Sequence, residues 1–155
     1  EVPRDVLATA SRPGGAWGNS SEEDRNRRSV YIFVKRSLHE PFLSAFDWAD
    51  TDNTCDVRFV TTVPTQTLTL MNSKFLNDSA ETLAKHVAEV APGDATAQIR
   101  YALHKATHRK PTDEEVQDGL DLIKELKNKT EASQEDAMQR FCLLVLNLNE
   151  FLYLD

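Results

Sequence analysis

From Pro64 onward the apolar residues recur every three or four positions, and caps and breakers cut that pattern into separate segments. Leu68, Met71, Phe75 and Leu76 form one stripe after a Pro64–Thr65 entry. Asp78 and Glu81 have capping-box spacing, which predicts a new helix there with Leu83, Ala84, Val87 and Ala91 on its inner face. Pro92–Gly93 stops that helix and Asp94 opens the next, whose core face is Ile99, Ala102, Leu103 and Ala106. Thr112 and Glu115 again have capping-box spacing, ahead of Val116, Leu120, Ile123 and Leu126. Gly119 lowers the helix propensity of that segment and permits a close approach by another helix. Ser133 and Asp136 repeat the cap more weakly, and the last helix is expected from about Gln134 towards Leu152, with Met138, Phe141, Cys142, Val145 and Leu152 inward. Each segment alone is marginal in water, so the apolar faces must pack on one another. The expected fold class is all-α: an irregular helical array with a long N-terminal lead and a central ordered loop. No tandem repeat of fixed period is visible.

The 155 residues suffice for one domain with its own core. Residues 1–28, punctuated by Pro3, Pro13, Gly14, Gly15 and Gly18, read as an extended lead. Trp17 in it either tacks the lead onto the body or offers a stacking face; the first reading is preferred. Residues 29–155 then form a single helical domain. Val30 to Val34 have strand propensity, but Val30, Phe33, Val34 and Leu38 also fall at helical spacing. A lone strand leaves its edges unpaired, so a short helix ending before Pro41 is expected. Residues 42–63 read as mostly irregular, anchored by Phe42, Leu43, Phe46 and Trp48.

Net charge −7 argues against a dedicated nucleic-acid module, though not against a local basic patch. No 18-residue apolar run is present, so no transmembrane segment is expected, and the first residues show no apolar signal-peptide core. Cys55 and Cys142 either form one bridge or remain separate thiols. No GxSxG elbow, SxxK pair, phosphate-binding glycine loop or haem-attachment motif occurs. No catalytic residue, metal ligand or cofactor is assigned.

Several constellations bear on chemistry. Asp47, Asp50, Asp52 and Asp56 offer hard oxygen ligands, but an EF-hand begun at Asp50 has Cys55 where Gly is needed and Thr61 where Glu is needed; carboxylates capping turns or pairing with Arg58 explain them as well. His104 and His108 can share a helix face, yet HExxH is absent and surface or helix-end roles are preferred. Cys142 sits among apolar neighbours, which predicts burial and inertness. Arg25, Arg27, Arg28, Lys35 and Arg36 can bind phosphate, glycan carboxylates or an acidic domain, although an internal network with Glu22, Glu23 and Asp24 is preferred. The polar stretch Thr61, Thr62, Thr65, Gln66, Thr67, Thr69 and Asn72 can hydrogen-bond a sugar or anchor the loop. Asn147, Asn149 and Glu150 interrupt the final apolar segment.

RRSVYIFVKRSL at Arg27–Leu38, FDWADTDNTCDVRFVTTVPTQTLTLMNSKF at Phe46–Phe75 and FCLLVLNLNEFLYLD at Phe141–Asp155, with SRPGGAWGNSSEEDRNRR upstream, appear in this order. Together they resemble the C-terminal domain called DUF1553, or PSD1, of large planctomycete proteins. The resemblance implies a mainly helical C-terminal part of an exported, periplasmic or cell-surface multidomain protein. It implies partners among upstream domains of the same polypeptide, some cytochrome-c-like and some carbohydrate-binding or laminin-G-like; none of those modules is visible here. It transfers no catalytic assignment, and whether the chain is an enzyme stays open. Asp47 and Glu150 fall in its motifs. So do Arg28, Arg36, Asp52, Arg58, Gln66 and Asn72, which are the ligand-binding candidates. The leading expectation is a noncatalytic interaction and scaffold domain. The alternatives are a carbohydrate-handling module completed by upstream domains, and binding of a glycan or other anionic ligand; no specific nucleic-acid partner is expected.

Overall fold

Prolines, hydroxyl caps and left-handed residues set several of the helix ends. The computed structural model describes residues 20–25, 27–35, 39–49, 54, 56, 57, 61 and 63–153. Within these the chain is all-α, with no β-strand among the described residues. It divides into two compact units, Glu1–Gln66 and Thr67–Asp155. Residues 1–19, the greater part of the expected lead, lie outside the described residues.

The described part of the first unit holds short elements. Helix α1 is Glu22–Arg25, followed by a 3-10 turn at Ser29–Tyr31. That turn is all the helix formed in the segment expected to be helical from 29 to 38; residues 36–38 lie outside the described residues. Val30, Tyr31, Phe33 and Val34 are exposed, so the helical spacing there marks no core face. Pro41 begins a helix rather than only ending one: α2 is Pro41–Ala45, with Glu40 as its cap, its carboxylate accepting from Leu43 N–H at 2.9 Å. Proline suits the first helical position because its missing N–H would be unpaired there anyway. A helix therefore sits inside the stretch expected to be irregular. The rings of Phe42 and Phe46 pack at 5.4 Å.

Helix α3, Pro64–Asn72, enters the second unit, which contains α4 (Lys74–Val90), α5 (Ala95–Thr107), α6 (Asp113–Thr130), α7 (Gln134–Val145) and α8 (Asn149–Leu152). The expected start at Asp78 is corrected. Helix α4 begins after Ser73, and Asp78 lies inside it, bonded by Lys74 Nζ at 2.6 Å. Asn77 Nδ2 donates to Met71 O and Ser73 O, each at 2.9 Å, and so holds the break between α3 and α4. That break rotates the apolar pattern. Leu68, Met71 and Phe75 are exposed, and Leu70 and Leu76 are buried.

The later boundaries follow the sequence closely. Asp94 caps α5 by accepting from Ala97 N–H at 3.0 Å, after Gly93 turns the chain at φ +75°. Thr112–Glu115 and Ser133–Asp136 both form complete capping boxes. The last helix is shorter than expected, ending at Val145. Asn147 Nδ2 donates to Leu143 O at 2.7 Å, a side-chain bond that competes with helix continuation, and the chain turns before restarting at Asn149.

Helices α4, α5, α6 and α7 pack in a closed circuit, each on its sequence neighbour and α7 back onto α4, with α5 also touching α7. Val87, Ile99, Ala102, Val116, Ile123, Met138, Phe141 and Val145 fill the centre. Burying each larger side chain stabilises by about 1.5–3 kcal/mol. Gly119 sits where α6 meets α5 and α7: a Cβ there would lie 2.9 Å from Ile99 Cγ2 and 2.9 Å from Phe141 Cε2. Both neighbours are buried core residues. Gly119→Ala gains helix propensity, about 0.5–1 kcal/mol, but overpacks the junction. The variant should be less stable by about 1–3 kcal/mol in urea unfolding; an unchanged or raised midpoint would show that the close approach is not required.

Candidate functional site

Three of the six ligand-binding candidates, Arg36, Asp52 and Arg58, lie outside the described residues, as do Asp50 and Cys55. Arg28 is exposed at the head of the 3-10 turn, its carbonyl accepting from Tyr31 N–H at 3.0 Å. Gln66 is only 1% exposed. Its Nε2 donates to Thr61 O at 3.1 Å and its Oε1 accepts from Val63 N–H at 3.4 Å. Asn72 is exposed, but its Nδ2 turns back to Leu68 O, one helical turn earlier, at 2.8 Å.

The neighbouring polar groups are also engaged with the chain. Asp47 adopts φ +57°, a left-handed conformation that Asp tolerates better than most residues. Its carboxylate accepts from Thr61 N–H at 2.7 Å and from Thr61 Oγ1 at 2.8 Å. Asp47, Thr61 and Gln66 thus form a clasp within the first unit that ties the start of the central loop to its end. Trp48 borders a cavity of about 10 Å³, roughly the room one water needs and too small for a sugar ring. In the basic cluster, Arg27 Nε pairs with Asp24 at 3.3 Å; both are exposed, so the pair adds little stability. Arg36 of the same cluster lies outside the described residues.

The second unit holds a charged constellation that the sequence pattern does not single out. Arg109 Nη1 and Nη2 donate to Glu115 at 3.0 and 2.5 Å. Its Nε and Nη2 also donate to Glu150 at 2.7 and 2.9 Å. Glu115 completes its capping box by accepting from Thr112 N–H at 2.7 Å. One guanidinium therefore joins the α5–α6 loop, the first turn of α6 and the C-terminal helix α8. Glu115 is legible in sequence as a cap and Glu150 as an interruption, but no local spacing connects them to Arg109, which is 41 positions from Glu150.

The electrostatics of this trio are those of a structural clamp. The Arg109 guanidinium, with help from the Thr112 backbone, lowers the Glu115 carboxyl from 4.5 to about 2. Arg109 also lowers Glu150, and the two carboxylates raise Arg109 above its already high value. Both carboxylates stay ionised at neutral pH, so neither has the raised pKa expected of a general acid. Cys142 is a free, buried thiol that desolvation pushes up to about 12, leaving it protonated and unreactive. His108 occupies the left-handed cap of α5 at φ +57°, and His104 Nδ1 donates to Arg109 O at 2.9 Å. The His104 ring and the His108 backbone serve the helix end. Among the described residues no three His, Cys, Asp or Glu side chains group to hold a metal, and no helix is long and apolar enough to cross a membrane.

A family model for PSD1, a protein of unknown function (DUF1553), matches residues 4–123. The chain belongs to this family. No curated protein and no solved structure matches it. The DUF1553 match ends within α6, so α7, α8 and Glu150 lie beyond it, as does the C-terminal stretch Phe141–Asp155. Arg109 and Glu115 fall inside the matched part of this DUF1553 chain, whereas the carboxylate that closes the clamp does not.

A depressed carboxyl stabilises the fold above its unfolded value and loses that contribution as pH falls through its folded value. For Glu115 the window runs from 4.5 down to about 2. The urea midpoint of the parent should therefore exceed that of Glu115→Gln at pH 6, with the gap narrowing as pH falls through that window. A pH-independent gap would show that Glu115 acts through the neutral capping bond alone.

Proposed function

We infer that this DUF1553 chain is a noncatalytic interaction and scaffold module of an exported, periplasmic or cell-surface protein. Its partner is an upstream domain of the same polypeptide, as the resemblance to large planctomycete multidomain proteins implies. The observation that carries the reading is the contrast between polar and apolar groups. The candidate polar side chains Asp47, Gln66, Asn72, Glu115 and Glu150 bond within the chain. Large apolar side chains are instead left in water: Leu68 is 57% exposed, Met71 47% and Phe75 61%. Leu68 and Met71 are three positions apart on α3 and share a face, and Phe75 is the second residue of α4. Exposed large apolar groups in proximity mark association surfaces more often than isolated ones do. The occupant proposed is an apolar face on an upstream domain, of the kind that obligate interfaces bury.

The hydrolytic form of the carbohydrate-handling alternative calls for two carboxylates set apart in role, one protonated and one not. The described carboxylate pair, Glu115 and Glu150, shares one guanidinium and stays doubly ionised. That pair supports no hydrolytic role for Glu115 and Glu150.

The test is association between the 155-residue chain and the separately expressed preceding region of its natural polypeptide, measured by analytical ultracentrifugation. Leu68→Asn, Met71→Gln and Phe75→Asn combined should weaken it at least about tenfold, since each removes exposed apolar area without touching the core. Circular dichroism should be unchanged. No association between folded partners, or association indifferent to the three changes, would sink the reading.

A further inference from the structure

The second unit carries an open groove of about 260 Å³ that none of the roles above uses. Its floor is Leu120 and Ile123 on α6, with Ile123 buried and Leu120 half-buried. Lys124 and Lys127, one and two turns further along α6, stand on its wall with exposed side chains. Neither lysine makes an ion pair with any carboxylate among the described residues, whereas Lys74, Lys85 and Lys129 each pair four positions away. Lys127 Nζ instead donates to Gln134 Oε1 at 3.0 Å. The remaining edges are Asn128 on α6 and Ala95 and Gln134, the first residues of α5 and α7.

Two ammonium groups and the beginnings of two helices thus converge on one aliphatic floor. The amide ends of α5 and α7 favour negative charge, although Asp94, which caps α5, and Asp136, whose carboxylate accepts from Ser133 N–H in the α7 capping box, offset part of this. The lysines add charge that no described carboxylate meets at ion-pair distance, in a chain whose overall charge is −7. The half-buried Leu120, with only the edge of the buried Ile123, offers aliphatic rather than aromatic surface, which suits a hydrocarbon tail and not the flat face of a sugar. The volume lies just below the usual range of small-molecule pockets, roughly 300–1,000 Å³, so the tail must be short.

We propose that this groove binds a short-chain aliphatic carboxylate, with the acid group between Lys124 and Lys127 and the tail on Leu120 and Ile123. The site shares no lining residue with the Leu68, Met71 and Phe75 surface, and its fate does not depend on the scaffold reading. A ligand here would bridge α5, α6 and α7 and brace the helical circuit. Its affinity should fall with salt, because both ammonium groups are solvent-facing.

The test uses the full 155-residue chain, labelled for amide NMR, with hexanoate and its neutral counterpart hexanamide as probes. Hexanoate should give saturable shifts confined to residues 94–98, 119–128 and 133–137. It should bind about tenfold more tightly than hexanamide and weaken as salt is raised. Lys124→Ala with Lys127→Ala should bring hexanoate down to the hexanamide level. A second variant, Lys129→Ala, removes a lysine of the same helix that already pairs with Glu125, and should leave hexanoate binding unchanged. Equal binding of the two probes, shifts centred elsewhere, loss of binding on Lys129→Ala, or no saturable shift at all would overturn the proposal.

Discussion

The helical circuit depends on one close contact. At Gly119 the backbone of α6 comes near enough to Ile99 and Phe141 that no side chain fits between them. Ile99 belongs to α5 and Phe141 to α7, so this one position sets the spacing of three helices. Interiors are packed as densely as organic crystals, and a displacement of one helix by even a methyl group would propagate to Ala102, Val116 and Ala137 nearby in the same cluster. The helices alone have too little propensity to persist. What holds them is this shared core, and the caps decide only where each begins.

The capping boxes at Thr112 and Ser133 show why the second half of the chain is legible in its sequence. A cap is a local bond: a hydroxyl and a carboxylate three positions apart satisfy two backbone groups whatever the distant chain does. Asp94 and the Pro92–Gly93 stop are local in the same sense. The core faces of α5 and α6 follow from 3.6-residue spacing, and Gly119 from its place within an apolar stripe. Asp78–Glu81 has the same three-residue spacing as a cap and is not one. There the decision is made by Asn77, whose side chain reaches back across the break to Met71 and Ser73, and a pattern of cap residues does not contain that bond.

The first half is less legible for a related reason. Its elements include a helix of five residues and a 3-10 turn of three, too short to display a hydrophobic period. Pro41 reads in sequence as a stop, but a proline can end one helix and also open another on its C-terminal side. Only Glu40's reach to Leu43 distinguishes the second role. The clasp of Asp47 on Thr61 joins residues 14 apart through a left-handed backbone conformation. Of the site candidates, Gln66 and Asn72 stand out in sequence as polar groups that need partners, and in both a backbone carbonyl of the chain itself accepts from the side-chain amide.

The Arg109 clamp shows how far such internal use of charge extends. Surface ion pairs contribute little when two flexible chains must be ordered for one contact. Here the cost is shared: Glu115 is already fixed by Thr112, so Arg109 orders against a carboxylate that has lost its freedom, and Glu150 then docks on an ordered guanidinium. The short α8, which has no side-chain cap of its own, is thereby tied to the α5–α6 loop. The three charges are consumed in joining one chain end to the bundle. This leaves Lys124 and Lys127 beside Leu120 and Ile123 as a place in the second unit where positive charge and apolar surface meet water together.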